Sequence, residues 1–159
     1  LVVYDYGTNA SFEDARRTAD EALRGARSDL ERHGLSITLG RTLRERREDV
    51  NLGTVMHEAS HQLAFTSGLL SRRGDVPAWL AEGMAAYCEA VSGGAWQGMG
   101  GHNPERAAEL ARAEGKLFSV RDLVSSDDWL RKARTARAAA LGYAQSWVLF
   151  TTLLEERPR

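Results

Sequence analysis

Five consecutive residues of this 159-residue chain, His57-Glu58-Ala59-Ser60-His61, have the types and spacing to hold a metal ion and use it. Positions four apart stand about 40° apart around a helix axis and about 6 Å apart along it, so two imidazoles placed there converge. Zinc accepts imidazole nitrogen at about 2.0–2.1 Å. Glu58 lies one residue round, at the edge of the same face. Its carboxylate can reach a water at the metal without taking a coordination position, remove its proton and later deliver that proton to a leaving amine. Three fixed residues in five also arise by chance, and an exposed amphipathic helix with two surface histidines would carry the same letters. The flanks NLGTVM and QLAF are apolar enough to bury the helix. A buried helix with two imidazoles and a carboxylate needs partners for them.

A catalytic zinc takes a third protein ligand and keeps a fourth position open. No third histidine follows at short spacing: the residue five beyond His61 is Thr66, and Gly68 comes next but one. The better candidate is Glu82, within PAWLAEGMAAY (77–87), early on the next predicted helix and separated from His61 by twenty residues. The stretch SGLLSRRGDV between them allows a turn. Gly83 with Ala81, Ala85 and Ala86 permits the second helix to pack closely across the first. Taken alone, Glu82 would be read as a first-turn acid stabilised by the helix dipole. Glu89, two turns further on, either orients a ligand imidazole as an acceptor behind the metal or is an exposed helix acid.

With these residues set out, the sequence resembles a gluzincin metallopeptidase domain, with His-Glu-x-x-His on one helix and Glu on the next. NLGTVMHEASHQLAFTSGL followed by VPAWLAEGMAAYCE is similar to peptidase-MA-like domains of bacterial proteins of unknown function. The likeness is close over residues 50–91 and looser through NPERAAEL and GYAQSWVLFTTLL. It implies a zincin-like domain in which a small N-terminal sheet packs on the HExxH helix and a Glu-bearing helix follows. It also implies one Zn²⁺ held by His57, His61 and Glu82, Glu58 as the catalytic base, a peptide or protein substrate, and for many relatives an extracytoplasmic or envelope setting. Such sites often carry a Tyr or His that donates a hydrogen bond to the tetrahedral oxyanion. Similar relatives suggest Tyr143 for that role; the alternative is a core tyrosine beside Trp147 and Phe150. His102 reads as a solvated loop residue, His33 as a surface residue at a helix end, Trp79 and Tyr87 as packing residues, and Cys88 as a small core residue.

The elements that must position these groups follow from periodicity and punctuation. Residues 1–6 (LVVYDY) read as a strand. Phe12, Ala15, Ala19, Ala22, Leu23, Ala26 and Leu30 recur at helical spacing to about His33, with Gly34 as a stop. Alternating Leu35, Ile37 and Leu39 read as a second strand over 35–43, and the charge run RTLRERRED as a solvated turn. An extended substrate would pair with the edge of one of these strands. Asn51 or Thr54 then caps the motif helix, which ends at Gly68, and Pro77 opens a helix through about Val91. Residues 92–102 form a glycine-rich loop without the Lys-Ser/Thr of a phosphate-binding loop. Asn103 and Pro104 open a short helix, Ser119 and Asp122 bracket a turn, and a long helix occupies about 135–156. The expected fold is α+β, predominantly helical, as a single domain over 1–159 taken from a longer protein.

Composition narrows the function classes. Lys and Arg total 21 against 22 Asp and Glu, a formal net charge of -1, which gives no electrostatic case for a nucleic-acid partner. Cys88 is the only cysteine, so any zinc must rest on histidine and carboxylate. The longest uncharged stretch, Ala138 to Leu154, falls short of the ~18–20 residues of a membrane span. The expected activity is zinc-dependent peptide-bond hydrolysis, against the alternative of a zinc-binding module with little turnover.

Overall fold

The computed structural model describes residues 29–156 and, ahead of them, 16–18, 20, 21, 24 and 25, all seven of which are helical. The strand expected at 1–6 lies outside the described residues. The elements are α1 (Asp29–Ser67), α2 (Ala78–Cys88), β1 (Val91–Ser92), β2 (Ala95–Trp96), α3 (Pro104–Arg112), α4 (Val120–Ser125), α5 (Asp128–Arg131) and α6 (Ala136–Glu155). The domain is thus predominantly helical with a small antiparallel sheet.

Several expectations for the first third are corrected. Residues 35–43 are helical, as is the charge run after them, and α1 passes through His33 and Gly34 without a break. A period-two pattern of three apolar residues is too short to outweigh a proline-free run rich in Arg, Leu and Glu, which favours helix. Once nucleated, helix extends cheaply through such a run. The charges are solvated as expected: Arg41, Arg44, Glu45, Arg47 and Glu48 are exposed, with an Arg41–Glu45 pair one turn apart at 3.9 Å. Asn51 and Thr54 lie inside the helix, and Thr54 donates its hydroxyl to the Val50 carbonyl, one turn back, instead of capping. The described sheet is not N-terminal. It is a hairpin within the expected glycine-rich loop, pairing Val91 with Trp96 and Ser92 with Ala95. Gly93 and Gly94 turn it at φ +61° and +77°, the double positive φ of a tight hairpin turn. The Asp49 carboxylate accepts from both glycine N–H groups at 3.2 and 2.5 Å and ties the turn to α1.

Most of the later boundaries fall where the punctuation places them, but α2 stops at Cys88 rather than near Val91, and the turn expected at Ser119–Asp122 is the start of the helix α4. Gly68, at φ +81°, ends α1. Pro77 precedes α2, and the Ala78 N–H is satisfied from across the chain by the Asp127 carboxylate at 2.9 Å. Asn103, Ser119 and Thr135 each accept a hydrogen bond from a first-turn N–H of α3, α4 and α6.

Helix α2 packs against α1 on one side and α6 on the other. Ala64, Leu70, Ala81 and Met84 form a buried cluster, backed by Phe65, Val76, Leu80 and Phe150. Ala85, Ala86, Ala140 and Ala144 are fully buried, so α2 and α6 meet through small residues. The tight contact at Gly83 is made with α6 rather than with the motif helix. A Cβ at Gly83 would lie 2.5 Å from the Ser146 carbonyl oxygen and 3.0 Å from the Phe150 Cβ. Gly83→Ala would gain up to ~1 kcal/mol of helix propensity. Overpacking costs ~1–3 kcal/mol, and a backbone carbonyl cannot swing aside. With the clash against backbone the cost lies toward the upper end of that range, and the expected result is a net loss of up to about 2 kcal/mol in urea unfolding; an unchanged or raised midpoint would show that the two helices part freely.

Candidate metal centre

His57 and His61 project from successive turns of α1, and Glu82 from the second turn of α2, beyond the first turn where the dipole would hold it. The tertiary packing brings the three together. His57 Nε2 lies 3.2 Å from His61 Nε2 and 3.0 Å from Glu82 Oε2, and His61 Nε2 lies 3.2 Å from the same oxygen. Three ligands of a tetrahedral zinc at 2.0–2.1 Å are separated by about 3.3 Å. The triangle therefore has nearly the size of one face of that tetrahedron, and these three residues can hold a metal ion. The donor chemistry agrees, being two imidazole nitrogens and one carboxylate oxygen. Both ring nitrogens converge on the same carboxylate oxygen, Glu82 Oε2.

Behind His57 the structure settles the two readings of Glu89. It is the residue that ends α2, and it is buried, not exposed. Its Oε2 accepts from His57 Nδ1 at 2.6 Å, which leaves Nε2 facing the triangle. The remaining capacity of the carboxylate is used by Arg106 Nε at 2.6 Å, Arg106 Nη2 at 3.1 Å and Asn103 Nδ2 at 2.9 Å. Asn103 was expected only as a helix opener, and Arg106 was not anticipated. One signal was present: a cation in the first turn of a helix opposes the dipole, a local conflict that implies a distant acid.

Glu58 is half-buried and lines a cleft of about 970 Å³ together with His61, Gln62, Phe65, Val76, Pro77 and Val124, with Arg72, Asp75, Asp127 and Arg131 among its charged wall residues. Tyr143, half-buried on α6, sets its ring edge-on to that of His57 at 6.0 Å between centroids and to Trp129 at 5.8 Å. Tyr87 instead pairs with Phe150. Trp79 and Cys88 are half-buried, and His102 is exposed on its loop.

The electrostatics of the site follow from these contacts. Burial would lower the pKa of His57, but hydrogen bonds to Glu82 and Glu89 outweigh it and raise the value from 6.5 to about 9. Burial opposes ionisation of Glu82, yet hydrogen bonds from both histidines bring it from 4.5 down to about 2. Burial acts likewise on Glu89, where the charge of Arg106 and the hydrogen bond from His57 also bring it to about 2. A raised histidine stabilises the fold fully below 6.5, and that contribution is lost as pH rises through 9. The lowered carboxylates contribute above 4.5 and lose their contribution as pH falls through 2. Chelator-treated protein is thus expected to melt highest near pH 4.5–6.5 and progressively lower toward pH 9, by up to ~1.4 kcal/mol per pH unit for one proton. Metal competes with that proton, so zinc affinity should rise over the same interval. A flat melting profile from pH 6 to 9 in metal-free protein would contradict the charged His57.

Residues 51–159 match the family described as a protein of unknown function, DUF1570. The chain belongs to this family. The matched region contains every residue of the centre, from His57 to Tyr143, together with all of α2 to α6. No curated protein and no solved structure matches the chain. Among the described residues, no helix is long and apolar enough to cross a membrane.

Proposed function

We propose that this DUF1570 domain is a zinc-dependent peptidase of gluzincin type, with His57, His61 and Glu82 holding one Zn²⁺ and Glu58 as general base and acid. The observation that carries the reading is the 3.0–3.2 Å triangle of two imidazole nitrogens and one carboxylate oxygen. It is backed by Glu89, the kind of acceptor that fixes the tautomer of a ligand imidazole. Bound zinc supplies carbonyl polarisation and a water of pKa near 7. The chain supplies the rest. Glu58 takes a proton from the attacking water as its oxygen bonds to the scissile carbonyl carbon. It returns that proton to the amine nitrogen as the C–N bond breaks. Tyr143, beside His57, is the candidate donor to the oxyanion. The 970 Å³ cleft on which Glu58 and His61 open has room for a peptide.

The pairing of substrate with a strand at 35–43 is withdrawn, because that segment is helix. A zinc-holding module without turnover has less support, since such a module has no use for an acid beside His61 on the cleft wall. The test is elemental analysis of purified protein with a mixed-peptide cleavage screen read by mass spectrometry. One zinc per chain, and cleavage that a chelator stops and zinc restores, are expected. Absence of zinc after loading would refute the metal centre; stoichiometric zinc with no cleavage would favour the module.

A further inference from the structure

We infer that Arg106 is a positioning residue that, from a third element, α3, locks the metal-facing geometry of His57. The inference rests on the zinc reading of the triangle. Arg106 is 6% exposed, and among the contacts of its guanidinium are two of different kinds. Its Nε and Nη2 donate to the two oxygens of Glu89 at 2.6 and 3.1 Å. Its Cζ also stands 5.2 Å from the centroid of the Tyr143 ring. Glu89 in turn accepts from His57 Nδ1. One side chain therefore connects a ligand on α1, the acid that ends α2 and the candidate oxyanion donor on α6. Asn103 adds to the lock, since its Oδ1 caps α3 while its Nδ2 donates to Glu89, setting the start of α3 against that carboxylate.

Stability alone is a poor account of this arrangement. A buried ion pair is often no better than apolar residues of the same volume, and a first-turn arginine opposes the dipole of α3. What an arginine supplies there is direction. A planar fork holds a carboxylate in one plane through two parallel hydrogen bonds, which lysine cannot do. With Glu89 held in that plane, the Nδ1–H of His57 has one acceptor direction and Nε2 is held toward Glu82 and His61. An acceptor free to rotate would leave the imidazole free to turn out of the triangle.

The experiment uses zinc and cobalt(II) alone as probes, on the whole chain, with Arg106→Gln, Arg106→Lys, Glu89→Gln and the double variant Arg106→Gln/Glu89→Gln. Zinc affinity is read by chelator competition and ligand geometry by the visible absorption of the cobalt form. Arg106→Gln is expected to lose about 10–100-fold in zinc affinity and to shift the cobalt bands. Arg106→Lys, which keeps the charge without the fork, should recover part of the affinity but not the wild-type spectrum. Because Arg106 acts through Glu89, the double variant should bind zinc no more weakly than Glu89→Gln. Wild-type affinity and spectrum in a folded Arg106→Gln would overturn the inference, as would additive losses in the double variant. If neither Arg106→Gln nor the double variant folds in the presence of zinc, Arg106 is a stability residue and the inference also fails. A wild type that takes up neither ion overturns the zinc reading itself, which separates the two failures.

Discussion

Replacing Glu58 with Gln is expected to lower peptide cleavage by about 10²–10⁴-fold, the usual worth of a positioned general base, while the variant keeps one zinc per chain. The two outcomes separate because Glu58 is not a corner of the triangle: the converging donors are His57, His61 and Glu82. Glutamine has the same shape and length, so the half-buried position on the cleft wall is filled as before. It has no site for the proton of the attacking water, and none to give to the amine. Steady-state kinetics beside elemental analysis decides the matter, with the loss expected in kcat rather than KM. Unchanged cleavage in a zinc-loaded Glu58→Gln would remove Glu58 from the reaction and leave only a metal-binding domain.

Glu82→Ala should have the largest effect on the metal, lowering zinc affinity by more than the ~10–100-fold typical of residues behind the ligands. It removes the corner shared by both short edges to the imidazoles, leaving two nitrogens where a closed face stood. Alanine is the best helix former, so α2 itself is not weakened by the change. The metal-free protein should respond too. The hydrogen bond to Glu82 is the foremost of the contacts that raise His57, so its removal lowers that pKa and flattens the decline in stability toward alkaline pH. Chelator competition and melting curves from pH 6 to 9 test both effects. Glu89→Gln should weaken zinc less than Glu82→Ala. An affinity within a few-fold of wild type for Glu82→Ala would take Glu82 out of the ligand set.

What the linear chain specified was local. Four-residue spacing brings His57 and His61 onto one face of any helix, whatever packs around it. Gly68 ends α1, and Pro77 and Asn103 start α2 and α3, because their backbone or side-chain chemistry acts within a turn. The same locality explains the misreading of 35–43. Three alternating apolar residues and a charge run are compatible with strand and turn when taken alone, and become helix as one continuous, cooperative segment. The small residues around Gly83 announced a close helix contact but not its partner, which is α6 and not the motif helix. Reach across the fold belonged to the packing. Spacing named Glu82 as a candidate, but its oxygen comes within 3.2 Å of both imidazoles only because α2 crosses α1 while wedged against α6. Glu89 had two readings until burial turned it from solvent to His57. Arg106, seventeen residues further along, joined the centre only when α3 folded back over it. Helix periodicity is a property of neighbouring residues, whereas the meeting of distant side chains depends on how whole helices pack.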